Sequence, residues 1–372
     1  MIPTLYSPAE NLFKSNGIGK MHGATECKVT KERNGIYDLD MKYATNSPHY
    51  SDLYEGCLIV TSHDDSGDLQ PFRIREIKRE TKYATIKARH DALEQISKIP
   101  VWPYPSGSMS VADTMEHLST LAQGWAERYP AAGITFSTNI DKQLNYSKPL
   151  PRFVSGFLAG QEGSVVDQLQ GGEIFYNWRS VQILTALGAD RHLRISYGKN
   201  ISDITGQTSM GECYTGAYIY YQGEDGIKYA QVYNFDMGSS VMTYMPNLYE
   251  VDISSEFESE PQTEEAFLTV ADARAAALEN KEPWTNIYNN ISVSWYELSQ
   301  LSEYSHLPKR SIRLGDYVNV YYPAFGLDRK VEIVKTVWNP LRERYETLEL
   351  NSLKKSLHET ITNIMQKQIR RK

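Results

Sequence analysis

Cysteine is scarce: Cys27, Cys57 and Cys213 are the three in 372 residues, and no pair of them has CxxC spacing. An odd, unclustered set excludes a disulfide framework and a paired-thiolate zinc site, and it implies synthesis in a reducing compartment. No stretch approaches the 18 apolar residues of a membrane span. The opening MIPTLYSPAEN has neither a basic n-region nor an apolar h-region, so no secretory leader is expected. The eight histidines, at 22, 49, 63, 90, 117, 192, 306 and 358, form neither HExxH nor HxH, which leaves metal catalysis without a ligand set. There is no GxxxxGK[ST] and no GxGxxG after a strand, so neither nucleotide nor other cofactor is expected. A GxSxG nucleophile elbow is missing as well. Positive charge is also short: the formal net charge is -7, the wrong sign for a dedicated nucleic-acid binder, though it suits a protein past which nucleic acid slides.

Several local features look chemical and read better as structure. His63-Asp64-Asp65 lies in SHDDSGD, but the glycine and twelfth-position glutamate of a calcium loop are missing, and a solvated hairpin turn is expected. Cys57 and Cys213 sit inside apolar strands, where burial raises a thiol pKa, and both read as core fillers. Glu264-Glu265 and Glu343 with Glu346 read as solvated charge rather than catalytic pairs. No catalytic, cofactor-binding or metal-binding residue is assigned, and the chain is not expected to be an enzyme.

What is present is a globular composition, 41% hydrophobic and 23% charged, in a chain long enough for two to four domains. Tyrosine is abundant, 26 against 10 phenylalanines, which suits half-buried sheet faces and wet interfaces. Residues 25–43 read TECKVTKERNGIYDLDMKY, two alternating runs joined by Asn34-Gly35, the residue pair that supplies two positive-φ positions to a tight hairpin. Alternation puts Tyr37, Leu39, Met41 and Tyr43 on one face with Cys27 and Val29 opposite. Further strands at 57–63, 71–80 and 82–90 complete a small barrel, bounded by the proline-rich 99–107. The same grammar returns at 318–350.

The predicted fold is therefore α+β and β-rich, with two small antiparallel β-barrels and two α/β lobes. The first barrel occupies 1–103 and an α/β domain 104–190, its helix capped by Ser110 and a second, shorter one capped by Ser164. The second barrel is made of 191–254 and 309–350, and an inserted α/β lobe at 255–308 carries a helix capped by Thr269. At 351–372, Leu353, Leu357, Ile361 and Ile364 share one face of an amphipathic C-terminal helix.

The opening IPTLYSPAENLFKSNGIG, then CKVTKERNGIYDLDMKY, PFRIREI, EGSVVDQLQGGEIFYNW, RISYGKNISDIT and NPLRERYETLELNS occur in an order that resembles the tail-tip hub proteins of siphophages and prophages, the prophage tail or tail-associated endopeptidase family. These are similar to the central baseplate hub protein of myophages. The resemblance implies a baseplate-hub-like structural protein, a homotrimeric ring whose six β modules meet the hexameric distal tail protein. It also implies a DNA exit channel formed or gated by that ring, without specific DNA binding. Further implied partners are the tape measure protein and a tail fibre, receptor-binding protein or lysin. The expected location is the distal end of the virion tail after synthesis in the bacterial host cytoplasm, with no membrane insertion. Competing readings are a cell-wall endopeptidase and a module that binds the host surface.

Overall fold

The computed structural model describes residues 1–351 apart from 129–132, 147–151, 162, 170, 197–200, 210–213, 224, 236–245, 258–259, 280–287, 296–310 and 323–326. The expected C-terminal helix and Cys213 lie outside the described residues. By compactness the chain divides into a unit of 1–205 with 292–351 and a unit of 206–291.

In the larger unit, seven strands come first: β1 (Thr4–Tyr6), β2 (Gly19–Lys20), β3 (Ala24–Glu32), β4 (Tyr37–Ala44), β5 (Leu58–Ser62), β6 (Leu69–Arg79) and β7 (Tyr83–His90). The period-2 pattern operates as expected: Tyr37, Leu39, Met41 and Tyr43 are buried beside Cys27, Val29, Ala84, Ile86 and Ala88, while Asp40 and Lys87 are exposed. The β3–β4 turn differs from the expected two-residue form. Only Asn34 has positive φ, at 52°, and Glu32 N bonds Ile36 O, so the loop is longer.

The next stretch holds α1 (Asp91–Ile96), β8 (Gly107–Ser110), α2 (Val111–Arg128), β9 (Thr135–Thr138), β10 (Gln143–Tyr146), α3 (Val154–Leu158), α4 (Val165–Leu169), β11 (Glu173–Asn177) and β12 (Ser180–Leu184). Ser110 caps α2 as expected, its Oγ accepting from Asp113 N at 3.0 Å. Ser164 precedes α4, but its Oγ is buried and makes no hydrogen bond. β11 and β12 form a hairpin, and β12 also pairs in parallel with β9.

The remaining strands are β13 (Asp190–Ser196), β14 (Ile201–Ser209), β15 (Gly216–Gly223), β16 (Gly226–Asn234), β17 (Leu248–Asp252), β18 (Tyr288–Trp295), β19 (Tyr317–Tyr322), β20 (Leu327–Asn339) and β21 (Arg344–Asn351), with α5 (Glu264–Glu279) between β17 and β18. The two expected β modules are the curled halves of one 13-stranded sheet, ordered β14-β18-β21-β20-β3-β4-β7-β6-β5-β1-β2, with β13 and β19 attached beside β20. They join where β3 pairs antiparallel with β20, from Lys335↔Glu32 to Trp338↔Val29. Satisfying the outer ladder of β3 in this way removes an edge that a separate first barrel would expose.

The 206–291 unit departs from the expected boundaries. β15, β16 and β17, placed in the second barrel by their alternation, form their own sheet, ordered β16-β15-β17. Its buried face, Ala217, Ile219, Tyr221 and Val251, packs on Phe267, Ala271, Ala275 and Leu278 of α5. Alternation reports that one face is buried and is silent about which core receives it. The expected cap of α5 is also corrected: Thr269 lies inside the helix, which starts at Glu264 with Thr263 Oγ1 accepting from Ala266 N. Glu264 and Glu265 occupy its first turn, where they complement the helix dipole.

Candidate functional site

Polar joints hold the larger unit together, and most begin at strand ends or turns. Asn34, forced into the left-handed region, uses both ends of its amide on the β11 region: Nδ2 donates to Gly172 O at 2.9 Å and Oδ1 accepts from Ile174 N at 2.7 Å. Arg33 beside it places Nη1 2.7 Å from both carboxylate oxygens of Glu332 on β20, and the same nitrogen reaches Glu173 on β11 at 3.4 Å. One hairpin tip thereby ties both sheet halves to the α/β lobe. Burial raises the Glu332 pKa, opposed by Arg33.

Asp316, fully buried, fixes the entry to the second half of the sheet. It accepts from Ala189 N at 2.9 Å, Arg191 Nε at 2.8 Å and Arg313 N at 2.8 Å. The backbone crossing there leaves no room for a side chain, since a Cβ on Gly188 would stand 2.0 Å from Gly315 C. Asp91, equally buried, pairs with Arg73 at 2.7 Å and stands 3.6 Å from Arg179, the residue at the β11–β12 turn. Asp65 accepts from Ser311 Oγ at 2.8 Å and Ile312 N at 3.2 Å. The SHDDSGD segment is the expected β5–β6 hairpin turn, exposed at Ser66–Asp68, but its entry is not solvated: His63 is 5% exposed and Asp64 and Asp65 are half-buried.

Behind these joints lies a polar core. Tyr37 stacks on His90 with ring centroids 4.4 Å apart, and Lys31 Nζ lies 5.0 Å from the Tyr37 ring and 5.3 Å from that of Phe175. Burial pushes Lys31 down to about 8 and His63 down to about 4, with Lys31 the next cause for His63. Burial also drives His90 well below its ordinary value. Trp178 N donates to Gln70 Oε1 at 2.6 Å, and His90 Nε2 lies 3.1 Å from the same oxygen. Since that oxygen only accepts, His90 carries its proton on Nε2.

The outward face is of another kind. Across β3, β4, β7 and β6 a transverse row reads Lys28, Asp40, Lys87, Glu76. Lys28 contacts Glu346 at 2.7 Å and Lys87 contacts Glu76 at 3.4 Å. Neighbouring rows add Asp38–Arg89 at 3.0 Å, Glu26–Lys42 at 2.9 Å and Lys335–Glu349 at 2.7 Å. Charges of opposite sign alternate across these four strands, and Glu346 of β21 meets Lys28 from the other half of the sheet. A shallow groove of about 390 Å³ on this face is lined by Asp38, Asp40, Arg75, Glu76 and Lys87. Desolvation by the walls of the groove raises the Asp40 pKa, with Asp38 the next cause.

The residues considered from sequence scatter over this frame. Cys57 is buried. Glu343 meets the Met1 ammonium at 2.7 Å, and Glu346 joins Lys28 and Asn339 instead of standing free in solvent. Among the described residues no three His, Cys, Asp or Glu side chains gather as a metal site, and no helix is long and apolar enough to cross a membrane. The joint residues Arg33, Asp91 and Asp316 carry no signal in the sequence, and Asn34 reads there as a turn residue alone. Lys31 had a legible signal, a cation at an inward position two residues after Val29.

Comparison with known proteins agrees with this architecture. The prophage endopeptidase tail family model matches residues 189–361. Over 98% of this chain and 99% of its own length, a prophage tail protein of Listeria monocytogenes EGD-e has the same fold, at 15% identity and TM-score 0.58. The 43 kDa tail protein of prophage MuSo2 from Shewanella oneidensis aligns over 95% of this chain and 98% of its own, at 13% identity and TM-score 0.59. A tail protein of Neisseria meningitidis MC58 aligns over 94% and 96%, at 11% identity and TM-score 0.57. No curated relative matches the chain by sequence.

Proposed function

We propose that this chain, with its prophage tail fold, is the structural hub at the distal end of a phage tail. Three copies form a ring that joins the hexameric distal tail protein to the tip. The observation that carries the reading is the fusion of two β modules into one sheet through β3 and β20. A threefold object with two rigidly linked modules per subunit offers six docking units to a sixfold neighbour, and head-to-tail closure limits the assembly. In this proposal the first module spans 1–103 and the lobe behind it 104–190. The tape measure protein and a fibre, receptor-binding protein or lysin are further neighbours in a particle assembled in the bacterial cytoplasm.

The charge-paired face supports a role as the wall of a DNA channel. Each cation on it that holds a carboxylate is already neutralised, so it lacks the phosphate-binding footprint that would retain passing DNA. Electron micrographs of the purified chain test the ring directly: threefold rings support it, and separate single subunits at high concentration defeat it. The name of the matched family keeps a cell-wall endopeptidase as the second reading. Clearing of a cell-wall zymogram by this chain would establish that activity, and a clear lane at high protein load would exclude it.

A further inference from the structure

The chain holds two Asn-Gly pairs, Asn16-Gly17 and Asn34-Gly35, and the fold treats their carboxamides oppositely. Asn-Gly is the dipeptide most open to spontaneous loss of ammonia, because glycine has no side chain to shield its own amide nitrogen and allows the backbone rotation that ring closure needs. In both pairs the glycine N–H has a partner: Gly17 N donates to Ser15 Oγ at 3.2 Å and Gly35 N to Glu32 O at 3.1 Å. The difference lies in the asparagine. Asn16 is exposed, in a loop between β1 and β2 that Glu10 organises by accepting from Asn11 N, Leu12 N and Phe13 N, and its carboxamide makes no hydrogen bond to any described residue. Asn34 is half-buried, and both ends of its carboxamide are engaged by the β11 region, Nδ2 at 2.9 Å from Gly172 O and Oδ1 at 2.7 Å from Ile174 N.

The reaction sets a geometric requirement. The glycine amide nitrogen, stripped of its proton by hydroxide, attacks Cγ of the asparagine. A C–N bond forms, Nδ2 leaves as ammonia with a proton from water, and the product is a cyclic imide. Water then opens that ring to aspartate or isoaspartate. For Asn34 the attack requires Cγ to swing toward Gly35 N, which breaks both carboxamide bonds to the β11 region, so conversion waits for local opening of the joint. For Asn16 no such bond has to break.

We infer that Asn16-Gly17 is the site at which the folded chain deamidates, and that Asn34-Gly35 is a latent second site, shielded by its docking on Gly172 and Ile174. The consequences differ as the settings do. A carboxylate at position 16 is solvated and breaks no contact. A carboxylate at position 34 sets an oxygen against Gly172 O where Nδ2 now donates, two acceptors with no proton between them. Isoaspartate there also adds a methylene to the main chain inside a turn fixed by Glu32 N on Ile36 O at 2.8 Å and Arg33 N on Val334 O at 3.0 Å. A chain that converts at position 34 while undocked therefore cannot rebuild the joint. The inference is independent of the ring reading, since the Asn34 joint lies within one copy.

Peptide mapping of the full-length chain after incubation at mildly alkaline pH tests it, with aspartate and isoaspartate at positions 16 and 34 measured in the same digest. In native buffer, conversion of Asn16 should lead that of Asn34 by about tenfold or more, a ratio equivalent to about 1.4 kcal/mol of opening free energy. In denaturant the two should convert at comparable rates. Gly35→Ala, whose new Cβ would stand 3.4 Å from the Glu32 side chain, should fold as the wild type does and suppress conversion of Asn34 in denaturant. Asn34→Asp should lower the melting temperature, and Asn16→Asp should leave it unchanged. Equal native rates at the two sites overturn the shielding. A native chain that never converts at Asn16 overturns the exposed site, and an Asn34→Asp chain that melts as the wild type does overturns the consequence for the joint.

Discussion

Asn34 concentrates more of the structure than its turn position suggests. Its amide satisfies two backbone groups of a segment 138 and 140 residues away. Asn34→Ala should strand both, at a cost of about 1–3 kcal/mol, read as a lower denaturation midpoint with an unchanged m-value. Arg33→Ala should cost more, about 3–5 kcal/mol, because Glu332 and Glu173 would be left partly buried without their cation. His63 and His90 set an acid limit. Both are held below the ordinary histidine value by burial, so between about 6.5 and about 4 the unfolded chain takes up protons that the folded chain refuses. Stability should then fall as pH drops through that window, by about 1.4 kcal/mol per pH unit for each proton. A melting temperature that stays flat from pH 7 to pH 4.5 would remove the polar core from the account.

Among the elements, strands with one wet face were legible. The periods of β3, β4 and β7 predict them close to their observed extents, because each buries alternate residues. The short strands β1, β2, β8 and β10 carry too few residues for a period to show. The assignment of β15–β17 failed for a different reason. An alternating strand looks the same whether a second sheet or a helix covers it, and here the small residues Ala271 and Ala275 of α5 supply the cover. Most joints were illegible because they pair residues more than a hundred positions apart, as Asp316 does with Ala189. The close crossing there is testable: Gly188→Val puts a branched side chain where even a Cβ would collide with backbone, so the chain should express poorly or melt far lower than wild type.

For the whole molecule, the account joins a rigid two-module sheet, an outward face of paired charges and a ring. If that face lines the channel, Asp40→Lys with Glu76→Lys and Glu346→Lys converts an alternating row into a basic stripe. The variant ring should hold DNA at low salt and release it as salt rises, whereas the wild type should show no retention in the same assay. The central claim is the trimer itself, and light scattering coupled to size exclusion on the full chain tests it most directly. The predicted result is a species of three times the chain mass, which shifts again when the hexameric distal tail protein is added. A single-chain mass at every concentration, unchanged by that protein, would contradict it.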